Sequence, residues 1–262
     1  MKLDYIPLLR LQRELHGLPR NRERFRQYLR TVLNRDGTGV ELPSLVMMNP
    51  MGKDHVTALL DALLALDADG VAERAAAEAS ARLADAPGDF KASLVVVDDL
   101  KGGWTNRYAT EFTVRFQSGP PLEQLPRWTK HFWVNGILWS SEAATERAVR
   151  EAMLTAVYRI AYVQRHGPAR TLRDMLAQEG YVMATAGCTG PVLDAEDIAY
   201  TREVLMPYLD AADMRTAIEC LFGDAAGHTL GFTPRGLSPW AGLGLALHDA
   251  RETQALQTTG PA

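Results

Sequence analysis

Apolar residues recur along this chain with two periods, and the changes between them predict its elements. Near the start, Leu3 to Leu15 carries Ile6, Leu8, Leu9, Leu11 and Leu15, and Gly17 and Pro19 then give a helix end. Asn21 stands where it can cap a second helix, Arg22 to Asn34. Its Phe25, Tyr28, Leu29, Val32 and Leu33 fall at helical spacing and predict a buried stripe opposite the arginines. Asp36 to Gly39 is a turn. Leu42–Asn49 reads as a short buried strand, broken by Pro50 and Gly52. Helical spacing returns over Lys53–Leu66 and over the alanine-rich Val71–Ala84. Strands are expected at Ala92–Asp98, Thr110–Phe116 and His131–Ser140, each marked by an apolar run or by period-two alternation.

From Ala143 onward the pattern is almost wholly helical. Ala143–Arg165 is long and amphipathic. Thr171 with Asp174 forms a capping pair for Thr171–Ala186, Asp194 caps Ala195–Leu209, and Asp210 or Asp213 caps Met214–Phe222. Gly223–Pro239 is punctuated by glycine and proline, and a last helix runs over Trp240–Glu252. The order αα–β–αα–βββ–α predicts an α+β fold, with mixed α/β as the alternative: a three- to four-stranded sheet flanked by helices. One compact domain over 1–262 is expected, with a basic helical hairpin at 1–36, a sheet-containing part at 42–142 and a helical part at 143–252.

Composition fits this picture. Of 262 residues 47% are apolar and 23% charged, so a folded core is expected rather than disorder. No apolar run approaches the roughly 20 residues that span a bilayer, and the N-terminal segment lacks the form of a signal peptide. Two cysteines, Cys188 and Cys220, are too few for a disulfide framework, so a cytoplasmic setting is expected. The net charge of −4 is uneven: residues 1–35 hold nine Lys/Arg against three acids, and the remainder is acidic. Arg22, Arg26 and Arg30 make a positive stripe along one helix. It suits packing on acids of the body or an acidic partner; the acidic balance of the whole argues against a dedicated nucleic-acid binder.

The densest chemistry lies between Phe90 and Phe116. Asp98 and Asp99 end an apolar run, and Lys101, Gly102, Gly103, Trp104, Asn106 and Arg107 follow. If Leu42–Asn49 and Ala92–Asp98 are parallel strands, their C-terminal ends share one edge, where open α/β sheets bind ligands. Asn49, Gly52, Lys53 and Asp54 would then lie near Asp98 and Asp99. The helix start at Gly52–Lys53 suits an anion, and the two aspartates carry the oxygens that Mg²⁺ favours. Alternatively, the acids simply close a turn.

A second candidate surface follows from period two: Thr113 and Arg115 on one strand, His131 and Asn135 on the next, beside Trp133 and Trp139. Covering helices would make that face ordinary core. Met47, Met48, Met51 and His55 suggest soft-metal ligation less than they suggest packing, and no HExxH, CxxC pair, GxSxG, GxGxxG or GxxxxGK[ST] occurs. The residues name no catalytic group, cofactor, metal or oligomeric state. The expected function is binding of a small anionic ligand at the loop 98–107, with an enzymatic reaction open. The alternative is a non-catalytic interaction or scaffold protein that uses the arginine stripe and the helical half.

Overall fold

The structure, a computed structural model, describes residues 1–100, 105–116 and 132–258. Lys101–Trp104 and His131, expected at the candidate sites, lie outside the described residues. The chain mixes helix and strand and divides into two compact units. One comprises Met1–Asn106 with Pro121–Val157, the other Arg107–Pro120 with Tyr158–Ala262.

The first unit is built on a parallel sheet. Among the described residues it has three strands in the order β1 (Lys2–Tyr5), β2 (Asp89–Val97), β3 (Phe132–Trp139). Between β1 and β2 run α1 (Leu9–Gly17), α2 (Arg22–Val32), a short 3-10 helix (Pro43–Met47), α3 (Asp54–Ala65) and α4 (Ala68–Arg82). β2 is buried on both faces, which explains its unbroken Leu-Val-Val-Val run. On one face Val95, Val97 and Trp139 pack with Leu8, Leu15, Tyr28, Val32, Leu45 and Met48. On the other, α4 packs on β1 and β2. There α6 (Glu146–His166) passes so close to β3 that a Cβ on Gly136 would lie 3.3 Å from the Met153 backbone nitrogen.

Three expectations are corrected. Leu42–Asn49 is not a strand but the 3-10 helix Pro43–Met47 with its flanks. Proline at the first turn suits that geometry, and the buried pair Leu45 and Met48 is three residues apart, the 3-10 period. Thr110–Phe116 is not a strand either; it lies in α5 (Arg107–Phe116). Tyr108, Phe112 and Phe116 are four apart, a spacing that fits both a two-residue and a 3.6-residue period. The Glu111–Arg115 ion pair at 2.8 Å is a helical i,i+4 contact. Finally, Phe25 and Leu29 are each 38% exposed, while Arg24 and Tyr28 are buried in their place. The helix is rolled so that its inner face carries an arginine.

β1 was missing from the sequence reading, and its shortness creates a problem that α1 solves. β1 pairs with β2 only as far as Ala92, so the β1 side of β2 is open at Val96. The fully buried Gln12 fills it: its Nε2 donates to Val96 O at 2.7 Å, and Val96 N donates to its Oε1 at 3.0 Å. The side-chain amide stands in for a strand residue. Gln12→Leu removes both bonds and leaves a buried N–H and C=O unpaired. Urea unfolding should show a loss of about 2–4 kcal/mol.

The second unit is helical among its described residues. It comprises α5, the later turns of α6, α7 (Leu172–Ala186), α8 (Ala195–Leu205), α9 (Met214–Phe222), α10 (Asp224–Leu230) and α11 (Ala241–Thr258). The expected caps are present at Thr171/Asp174, Asp194 and Asp213; α10 falls where only a punctuated loop was expected. Both cysteines are buried. α7 and α11 pack closely, with a Cβ on Gly180 falling 2.5 Å from Ala246 O. Beside that contact lies a fully buried carboxylate, Glu179. It accepts from Arg159 Nε at 2.7 Å and Nη2 at 2.9 Å, and from Arg115.

Arg115 is therefore not on a ligand-facing sheet surface with Thr113. It is a structural cation bonded to Glu111 and Glu179, and the Thr113 hydroxyl donates to Ala109 O within its own helix. Burial alone would push the Glu179 carboxyl up. The Arg159 and Arg115 charges outweigh burial and hold it at about 2, against an ordinary 4.5. A depressed carboxylate contributes stability that is complete above the unfolded value and is lost as pH falls through the folded one. Stability should therefore decline between pH 4.5 and 2 by roughly 3 kcal/mol from this group. Denaturation midpoints measured across that range should fall less steeply in Glu179→Gln than in the parent.

Candidate functional site

Parallel pairing places Val97 beside Trp139, so Asp98 and Ser140 emerge together at the C-terminal edge of the sheet. Asp98 is 2% exposed, and donors converge on its carboxylate from three segments. Asn49 Nδ2 donates to Oδ2 at 2.8 Å. His55 Nε2 lies 2.8 Å from Oδ1, the Ser140 hydroxyl donates at 3.0 Å, and the Leu100 amide approaches at 3.4 Å. Burial would raise this carboxyl. The bonds from His55, Asn49 and Ser140 outweigh burial and leave it below the usual range, so it is ionised at neutral pH.

The local chain path follows from the same residues. Asn49 turns the chain by accepting from Met51 N at 3.0 Å, and Gly52 N donates to Asn49 O at 3.0 Å. α3 then starts at Asp54 with Lys53 as its N-cap, and no side chain caps it. His55, in the first turn, faces back to Asp98. An ionised carboxylate only accepts, so His55 donates through Nε2 and presents Nδ1 as an acceptor. The His55 side chain is 29% exposed, and among the described residues Nδ1 has no protein partner. Asp98 is a fixed anion that orients a half-exposed imidazole, which is the arrangement a general base requires. No serine, threonine or cysteine bonds Nδ1 among the described residues. Oδ1 is fully engaged by these donors, while Oδ2 accepts from Asn49.

Behind this edge lie two further polar residues that the sequence reading did not single out. His16 is 4% exposed, and among the described residues neither ring nitrogen has a hydrogen-bond partner. Burial and the nearby Arg24 charge push its pKa down to about 4, so the ring is neutral at pH 7. Arg24 is 7% exposed and donates to the carbonyls of Leu18 at 2.8 Å, His16 at 3.0 Å and Gly52 at 3.3 Å. No carboxylate forms a salt bridge with it among the described residues.

The remaining candidates are distributed as follows. Asp99 accepts from Ser140 Oγ at 3.1 Å, Ser141 N at 3.0 Å and Ser141 Oγ at 2.7 Å, which closes the end of β3 onto β2. Asn49 joins Asp98, as the shared-edge argument expected, although Asn49 follows a 3-10 helix rather than ending a strand. Lys53 is exposed at the helix start. Asn106 is half-buried at the end of the first unit's main segment. Arg107 opens α5 in the second unit and lies over the Trp240 ring at 4.9 Å.

Asn135 is not on an open surface. Its Oδ1 accepts from Ser44 at 2.5 Å and Ser93 at 3.2 Å, fastening the 3-10 helix to the sheet. Trp133 and Ile137 also pack on the covered face, so this surface is core. On α11, His248, Asp249 and Glu252 have ligand atoms within 4.8 Å of one another, but Asp249 is already paired with Arg202 at 2.7 Å.

The signal for Ser140 lay in the register of two correctly read strands. His55 was legible as a residue one position into a helix that starts at the strand edge. Nothing in the sequence marked His16 or Arg24. Comparison with protein-family models, curated proteins and solved structures finds no match.

The network predicts an asymmetry between its two ring partners. Asp98→Asn replaces an acceptor with an amide that cannot accept from all its donors, and should cost about 2–4 kcal/mol in chemical unfolding. His55→Gln, at a half-exposed position, should cost under about 1 kcal/mol in the same measurement.

Proposed function

We propose that the first unit binds a small anionic ligand at the C-terminal edge of its sheet, and that His55, held by Asp98, exchanges a proton with it. The Asp98–His55 pair carries this reading. A turn needs no buried carboxylate with donors from three segments, and a structural histidine does not need an unbonded, half-exposed nitrogen. The ligand's charge is argued from the other side of the site. The α3 N-terminus carries a partial positive charge and uncapped amides, and Lys53 adds a mobile cation. The reaction class this favours is general-base removal of a proton from a carbon acid, a hydroxyl or a water.

A second reading has its own observation. Phe25 and Leu29 are exposed among Arg22, Arg26 and Arg30, a mixed apolar and basic face suited to an acidic partner. The two readings rest on different residues and separate cleanly. Thermal-shift screening against phosphorylated and carboxylated metabolites, followed by calorimetry, should find anionic compounds that stabilise the chain. Lys53→Ala should weaken their binding. His55→Gln should leave affinity within about threefold while abolishing turnover of any compound that reacts. If no anionic compound raises Tm, or if binding follows Arg26→Glu and ignores Lys53→Ala, the sheet-edge reading fails.

A further inference from the structure

The N-terminus of α3 has a feature beyond its dipole. Gly52 lies directly against the buried His16 ring: a Cβ there would sit 2.8 Å from His16 Cε1, 3.0 Å from Val56 Cγ2 and 3.2 Å from Asn49 O. Cε1 is the ring atom flanked by both nitrogens. The polar end of the imidazole is therefore turned toward Gly52, and among the described residues neither nitrogen has a hydrogen-bond partner. Burying two unpaired ring nitrogens is costly unless something else engages them. Around the same point stand the buried Arg24 guanidinium, donating to Gly52 O, and the first-turn amides of Asp54 and His55, which have no capping side chain. Lys53 is exposed beside them. Three kinds of donor are thus neighbours in this stretch: a neutral ring N–H against Gly52, the first-turn backbone amides, and the ammonium group of Lys53. A planar carboxylate uses one plane of donors; a tetrahedral oxyanion uses several.

We infer that Gly52–His55 is a phosphate subsite, closed from inside by His16, for a phosphate-bearing ligand of the sheet edge. This rests on the sheet-edge reading for the ligand's location and adds its chemical class. Gly52 is required because a side chain would push the ring away. Arg24 supplies positive charge without occupying the site, since its own donors are spent on the Leu18, His16 and Gly52 carbonyls. Asp54, exposed in the first turn, opposes anion binding. The ionisable groups facing His16 are Arg24, Arg13, Asp98 and His55, and a bound phosphate would add a negative charge beside them and raise the His16 ring's proton affinity.

The test uses the full chain, with inorganic phosphate as first probe and a phosphate monoester, sulfate and acetate as comparisons, read by calorimetry at low salt and by 15N NMR of amides and imidazoles. Phosphate should shift the Asp54 and His55 amides and the His16 ring nitrogens, and acetate should not. An ester that binds tighter than inorganic phosphate identifies a phosphorylated metabolite as the source; equal affinity identifies the free ion. His16→Phe keeps the ring and removes the nitrogens. It should weaken phosphate binding about tenfold while leaving Tm equal or higher, because two unpaired polar atoms are gone. Gly52→Ala should weaken binding similarly, and Asp54→Asn should tighten it. His55→Gln should still bind phosphate, so failure of the proton-transfer reading and failure of the subsite are separable. Unshifted Asp54 and His55 amides, or a folded His16→Phe that binds phosphate as the parent does, would overturn the inference.

Discussion

The first unit depends on one constraint: β2 is buried on both faces, and every backbone polar group along it must still be paired. β3 supplies one side over eight residues, from Phe90–Phe132 to Val97–Trp139. β1 supplies the other for only four, and the buried Gln12 amide takes over at Val96. That substitution brings α1 against the upper part of the strand, and His16 lies in the last turn of α1. The site is thus a consequence of strand pairing. Completing the hydrogen bonds of β2 carries the end of α1 to the edge where Asp98 emerges.

At that edge the same rule acts on a charge. A carboxylate taken out of water needs several donors, and Asp98 draws them from Asn49, His55, Ser140 and the Leu100 amide. The connection before α3, the first turn of α3 and the end of β3 are thereby held to one point. Stability and chemistry are not separable here, since the bonds that hold the carboxylate also orient the imidazole. Arg24 and His16 behave differently. One is a buried cation bonded to carbonyls and the other a buried ring with no hydrogen-bond partner among the described residues, so positive charge and unpartnered ring nitrogens lie beside Gly52.

The second unit solves its polar problem internally. Glu179 and Arg159 form a two-bond ion pair, and Arg115 joins it together with Glu111. Such a group orders the helices that carry it, and its charges are matched. Arg115 looked like a ligand contact in sequence because an arginine in an alternating segment has no visible partner. Its partners are Glu111, four positions back on the same helix, and Glu179, sixty-four positions away.

Periodicity by itself determined most of the helices, their caps at Asn21, Thr171, Asp194 and Asp213, and the strands β2 and β3, because these depend on contacts within a few residues or on a burial pattern repeated along one segment. It also placed Asp98 at the end of a strand, since a parallel strand's end is legible from its apolar run. Short segments escaped it. Tyr5 ends a strand of four residues, Leu45 and Met48 lie in a run too brief to distinguish 3-10 helix from strand, and the four-residue spacing of Tyr108, Phe112 and Phe116 satisfies two periods at once. Only the tertiary structure decided that His55 and Ser140 meet Asp98, that Gln12 completes a sheet, and that His16 lies unbonded against Gly52. Those facts depend on distances between residues dozens of positions apart, and no local pattern of polarity encodes them.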